Sequence, residues 1–155
     1  MKKDLLSLLD LEKEDFETLF ARAIQLKERY SRGILDKLLT GKSLGLIFDK
    51  KSTRTRVAFE TAMIQLGGHP IYMSTQDTQI SRNEPAKDTA RVLSRYIDCL
   101  AMRTFDHSLV EEFAQNSTIP VINALTDSFH PCQILSDIMT IIEHKGGYKN
   151  LKIAW

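Results

Sequence analysis

Three hydroxyl residues and two arginines crowd into a short stretch of this chain, Lys50-Lys51-Ser52-Thr53-Arg54-Thr55-Arg56. An apolar run, Leu44-Gly45-Leu46-Ile47-Phe48, precedes it and reads as a buried strand. Val57 to Leu66 follows as an apolar helix closed by Gly67 and Gly68. The first backbone N–H groups of a helix lack intrahelical partners, and the helix dipole makes that end positive. Ser and Thr hydroxyls add donors, and arginine adds a planar fork matched to phosphate or carboxylate oxygens. The stretch Ser52–Thr55 is therefore a candidate seat for a phosphate or carboxylate. The plainer alternative is that Ser52 or Thr53 only caps the helix and that the arginines are solvated.

Two further positions have chemistry-bearing residues at strand ends. Arg103 ends the apolar segment Ile97-Asp98-Cys99-Leu100-Ala101-Met102. His130 follows the short strand Val121–Asn123 after a loop and stands just before Pro131 opens a helix, with Gln133 in its first turn. In a parallel α/β sheet, the carboxyl ends of strands are where ligands bind. The alternatives are a surface Arg103 in an exposed ion pair, a His130 that merely caps its helix, and a solvated Gln133.

The elements that must position these residues alternate regularly. Residues from about Asp10 to Tyr30 place Phe16, Leu19, Phe20, Ala23 and Ile24 on one helical face, with Gly33 beyond its end. Strand Ser43–Phe48 leads to helix Arg54–Leu66, and strand Pro70–Met73 to a polar loop, Ser74–Asn83. A helix opens at Pro85, a favoured first-turn residue. Strand Ile97–Met102, helix Asp106–Gln115, strand Val121–Asn123 and helix Pro131–His144 complete the order. Short apolar strands alternating with amphipathic helices predict an α/β fold, an open parallel sheet of about four strands with helices on both faces. Lys145 to Asn150 reads as a turn, and Leu151–Trp155 as the opening of another strand.

Composition narrows the function classes. Lys and Arg number 21 against 20 Asp and Glu, so no global field favours nucleic acid or an anionic membrane. The basic residues around Arg54 lack interleaved aromatics, which argues against a nucleic-acid partner. No apolar run approaches the roughly 20 residues needed to span a bilayer, and Leu5–Leu9 is too short for a signal core. A cytoplasmic location is expected. Cys99 and Cys132 form no C-x-x-C pair, and a disulfide is not expected there. His69, His107, His130 and His144 form no zinc-type pair, so neither metal nor cofactor is expected. Gly41-Lys42-Ser43 is similar to the end of a P-loop, but Asp36 stands where the first glycine belongs, and the segment precedes a strand instead of following one.

Three segments together resemble a family. Ser52-Thr53-Arg54-Thr55-Arg56 with Phe59-Glu60, then Lys87-Asp88-Thr89-Ala90-Arg91-Val92-Leu93, then His130-Pro131-Cys132-Gln133 with Asp137 and Thr140 resemble the aspartate/ornithine carbamoyltransferases in order and spacing. The second segment and the Gln79 region are more similar to the ornithine branch. The resemblance covers most of residues 44–143 and implies a carbamoyl-phosphate-binding domain over residues 1–150. Residues 151–155 would begin a second, amino-acid-binding domain, so that this chain is one half of an enzyme and inactive alone. It implies that Ser52, Thr53, Arg54 and Thr55 grip the phosphate. Arg54, Arg103 and His130 would be catalytic, with His130 donating to the carbonyl oxygen and Gln133 accepting from the carbamoyl NH₂. Gln79 would enter the site of a neighbouring subunit in a homotrimer. Cys132 departs from the Thr of many relatives and is assigned no role. The acceptor amine (ornithine, or else aspartate, putrescine or an acylated ornithine) is left open, as is a non-catalytic anion-binding module.

Overall fold

The computed structural model describes residues 4–9, 11–74, 84–148, 151–152 and 154. Gln79 lies outside them. The order is α1 (Lys13–Ser31), β1 (Ser43–Phe48), α2 (Arg54–Gln65), β2 (His69–Ser74), α3 (Ala86–Leu93), β3 (Cys99–Arg103), α4 (His107–Asn116), β4 (Val121–Leu125) and α5 (Pro131–Lys145). The strands form one open sheet in the order β2-β1-β3-β4, every neighbouring pair parallel. This is the expected α/β architecture.

The burial pattern explains why β1 reads as an unbroken apolar run. It lies inside the sheet with helices over both faces, so side chains of either parity are buried. Ile47 joins Leu100, Met102 and Val121 beneath α3 and α4, packing on Ala90, Val110 and Phe113. Leu44, Leu46 and Phe48 point the other way, with Ala101 and Ala124, towards Met63 and Phe59 of α2. On that second face α1 borders α2 along a groove that includes Ala23, Leu26, Ala62 and Leu66. Lys27 of α1 pairs with Glu143 of α5 at 2.7 Å. The outer edge of β4 is covered by the N-terminal segment. Leu5 N–H donates to Val121 O (2.9 Å), and Asn123 N–H donates to Leu5 O (2.8 Å). Among the described residues no helix is long and apolar enough to cross a membrane.

Some boundaries differ from expectation. Strand β3 begins at Cys99, because Ile97 N–H still bonds back to Leu93 O at 3.1 Å in the turn that ends α3. Ile97 is buried all the same, and burial alone does not separate a turn from a strand. Pro85 is the cap before α3, not its first residue, with extended backbone and a carbonyl that accepts from Asp88 N–H. Leu151, Lys152 and Ala154, expected to open a strand, lie in none.

Two left-handed glycines test the backbone independently. Gly41 and Gly67 have φ of +75° and +82°. A Cβ at Gly41 meets nothing within 4 Å, whereas one at Gly67 would lie 3.1 Å from both Lys37 Cβ and Thr40 Oγ1. The left-handed conformation alone costs a residue with a Cβ roughly 1–2 kcal/mol. Gly41→Ala is expected to destabilise by about that amount, and Gly67→Ala by more. Urea unfolding of the two variants measures the difference, and equal losses would refute the crowding at Gly67.

Candidate functional site

Parallel pairing delivers three strand ends to one place. Phe48 of β1 stands beside Arg103 of β3, and Arg103 beside Leu125 of β4. A register shift between Met102 and Arg103 lets Ala124 fall unpaired, a bulge of the kind that re-aims side chains near binding sites. The loops beyond are laced together by backbone bonds. Asp49 N–H donates to Arg103 O (2.8 Å), Thr104 N–H to Leu125 O (3.0 Å), and Asp127 N–H to Phe105 O (2.9 Å). Lys50 adds an ion pair to Asp127 and sits 4.4 Å over the Phe105 ring. The N-termini of α2 and α5 are thereby held on either side of the end of β3.

Between them opens a cavity of about 550 Å³. Ser52, Thr53, Arg54 and Thr55 line it from the start of α2, Arg103 from β3, and His130 and Gln133 from the start of α5. All the candidate residues except Gln79 therefore meet in one place. Lys51 also lines the cavity, and among the described residues no carboxylate does. The capping alternative for the first stretch is not what is observed. Thr53 is the cap of α2 but its side chain makes no capping bond, and the first turn of α2 holds no acidic residue. Its N–H groups thus face a positively charged cavity without the usual side-chain partner.

Arg103 shows the strain of this arrangement. Its Nη1 donates to Thr55 Oγ1 at 3.1 Å. Its Nε is buried and has no partner among the described residues. Burial, and then the Arg54 guanidinium, pull its pKa below the ordinary arginine value. A buried donor left unmet costs about 1–3 kcal/mol, more when charged. An anion arriving between Arg54 and Arg103 would offset their repulsion.

His130 is at once a helix cap and a cavity residue. Its Nδ1 accepts from Gln133 N–H at 3.4 Å. An accepting Nδ1 places the ring proton on Nε2, which makes Nε2 a donor. Burial, then the positive Arg103, push its pKa below the ordinary histidine value, while Asp137 pulls weakly upward. The ring is therefore neutral at neutral pH. Cys132 faces the cavity, but its thiol donates weakly to Asn123 O at 3.7 Å, and burial pushes its pKa up to about 11. It stays a thiol and is no nucleophile there. Sequence reasoning attached no role to Asp137, although the helical spacing of four from Gln133 was visible. Its carboxylate accepts from Gln133 Nε2 at 2.8 Å. Among the described residues no group of His, Cys, Asp and Glu is placed to hold a metal ion.

Comparison with known proteins agrees with this geometry. Residues 3–143 match the family model described as aspartate/ornithine carbamoyltransferase, carbamoyl-P binding domain. The chain is similar to the ornithine carbamoyltransferases of Syntrophus aciditrophicus (55% identical) and Desulfotalea psychrophila (59%), each over 100% of this chain and 51% of the relative. It thus spans about half the length of these curated relatives. The solved ornithine carbamoyltransferase of Pyrococcus furiosus superposes with a TM-score of 0.90 at 51% identity, covering 93% of this chain and 46% of that one. The catalytic subunit of M. jannaschii aspartate transcarbamoylase superposes with a TM-score of 0.86 at 36% identity, covering 94% of this chain and 48% of that one.

The His130 ring gives a direct test. An unperturbed histidine titrates near about 6.5, and the NMR midpoint of His130 is expected below that. Because the folded pKa is lowered, the unfolded chain takes up the proton first. The contribution to stability is complete above the unfolded pKa and is lost as pH falls through the folded one. Arg103→Met should move the midpoint back up. A midpoint at or above the ordinary value would contradict the burial and charge just described.

Proposed function

The chain belongs to the aspartate/ornithine carbamoyltransferase family, and on that premise we propose that the intact protein transfers the carbamoyl group of carbamoyl phosphate to L-ornithine, giving L-citrulline and phosphate. The observation that carries this reading is the cavity, lined by no carboxylate among the described residues, in which Arg54 and Arg103 meet at the uncapped start of α2 beside His130 and Gln133. Higher identity to the ornithine enzymes of Desulfotalea psychrophila and Pyrococcus furiosus than to the aspartate enzyme supports ornithine as acceptor.

The reaction forms a bond from the acceptor's δ-nitrogen to the carbonyl carbon and breaks the bond from that carbon to the bridging oxygen. Phosphate leaves with the electron pair, and the nitrogen gives up a proton. Ser52, Thr53 and Thr55 hold the phosphate with the α2 N–H groups, and Arg54 spans from the phosphate towards the bridging oxygen, where charge grows as the bond breaks. Arg103 and the His130 Nε2–H face the carbonyl oxygen, which becomes an oxyanion as the amine attacks. Gln133 accepts from the carbamoyl NH₂. Holding donors, phosphate and amine in place contributes by orientation as well as charge. In this reading Gln79 enters from a neighbouring subunit of a homotrimer, the amino-acid acceptor is bound by residues outside this chain, and the activity serves arginine biosynthesis in the cytoplasm.

Citrulline formation by the intact protein tests the reading. Arg54→Ala is expected to abolish measurable carbamoyl-phosphate affinity, since it acts on the ground-state phosphate. Arg103→Ala and His130→Ala should instead lower kcat by about 10²–10³, the usual loss for an oxyanion donor, with a smaller change in KM. A large rise in the carbamoyl-phosphate KM with kcat unchanged would move both residues to the phosphate grip and refute the division of roles.

A further inference from the structure

Gln133 carries one amide, and its two ends do opposite work: Nε2 donates and Oε1 accepts. A carbamoyl group and an acetyl group have nearly the same shape, but only the carbamoyl group brings N–H donors. A site that tells them apart needs an acceptor held towards the ligand. An unrestrained glutamine offers either end, because turning its amide over costs little.

In this chain the amide is held. Gln133 and Asp137 lie one helical turn apart on α5, and Gln133 Nε2 donates to Asp137 Oδ1 at 2.8 Å. A carboxylate only accepts. The reversed amide would set Oε1 against a carboxylate oxygen, so one orientation is permitted, and it leaves Oε1 as the end available to the cavity that Gln133 lines. The backbone N–H of Gln133 is fixed as well, shared between His130 O (3.1 Å) and His130 Nδ1 (3.4 Å). As a helix-surface pair the contact adds little to stability, so its significance lies in direction. We propose that Asp137 is a positioning residue that locks the Gln133 amide with its oxygen towards the ligand, and so makes the site select a carbamoyl group over an isosteric acyl group without N–H. The proposal rests on the carbamoyl-phosphate reading above.

Asp137→Asn is the decisive variant. It keeps size and shape, but asparagine both donates and accepts, so Gln133 pairs with it in either orientation and the lock is lost. It also removes a negative charge that draws the His130 pKa upward, so His130 stays neutral. Equilibrium binding to the intact protein is measured with three stable probes. They are phosphonoacetamide, in which a methylene replaces the labile bridging oxygen; acetonylphosphonate, which differs only by a methyl in place of NH₂; and inorganic phosphate. The unmodified protein is expected to prefer phosphonoacetamide to acetonylphosphonate. Asp137→Asn should shrink that preference about 3- to 10-fold, the net worth of one hydrogen bond, and leave phosphate affinity unchanged. Gln133→Leu should shrink it likewise, and adding Asp137→Asn to Gln133→Leu should change nothing more. An Asp137→Asn variant that keeps the preference, or that weakens all three probes alike, overturns the positioning role while the carbamoyl-phosphate reading stands. An unmodified protein that binds phosphate but shows no preference overturns both.

Discussion

Arg54 and Arg103 repel each other, and much of the structure around them serves to hold them together nonetheless. Among the described residues no carboxylate lines their cavity, and burial, with the Arg54 charge second, depresses the Arg103 pKa. Such a concentration of like charge in a partly dry place persists only if the scaffold is rigid and its own stability lies elsewhere. Here it lies in the two apolar layers on either face of the sheet, which include fully buried Phe113, Leu46 and Leu100. The sheet's parallel sense then does the placing. Every strand ends at the same edge, so the end of β3 and the helices after β1 and β4 converge without any long excursion of the chain.

The loops at that edge are not left to themselves. The backbone bonds from Asp49, Thr104 and Asp127 extend the sheet's lacing one step beyond its strands. Beneath them Asn123, fully buried, donates from Nδ2 to Leu6 O at 2.9 Å. Thr126 Oγ1 accepts from Phe129 N–H at 3.1 Å and contacts His107 Nδ1 at 3.2 Å. These bonds fix the path from β4 to His130. A misplacement of even about 1 Å is enough to spoil an oriented reaction, which gives a physical reason for spending so many buried polar contacts on one short loop.

The strands and helices were legible because their periods are clean. β1 is a short apolar run ended by a polar turn, and α4 is an amphipathic helix with Asp106 as a cap accepting from Ser108 N–H at 2.9 Å. The meeting of Ser52–Thr55, Arg103, His130 and Gln133 was legible only through the rule that strand ends converge, together with a family resemblance. Composition carried no trace of it. What escaped was finer. The bulge at Ala124 depends on pairing between strands, which one strand's residues do not encode. The start of β3 was misread because Ile97 is buried in a turn. Two offered alternatives for His130, a helix cap or a site residue, proved not to exclude each other: capping uses Nδ1 and leaves Nε2 for the cavity.

That double use shows how the first turn of α5 is built. His130 gives Nδ1 to the helix and keeps Nε2; Gln133 gives Nε2 to Asp137 and keeps Oε1. Each side chain spends one polar atom on the helix, and that bond dictates which kind of atom is left over: a donor from the histidine and an acceptor from the glutamine. The leftover pair is the complement of an amide, whose oxygen needs a donor and whose nitrogen needs an acceptor. Losing either helix bond would leave the atom turned to the cavity unfixed while altering shape and stability little. Selectivity at such a site therefore resides in contacts that a stability measurement scarcely registers, and it is invisible to any reading that counts residues lining a cavity without asking which of their atoms are already engaged.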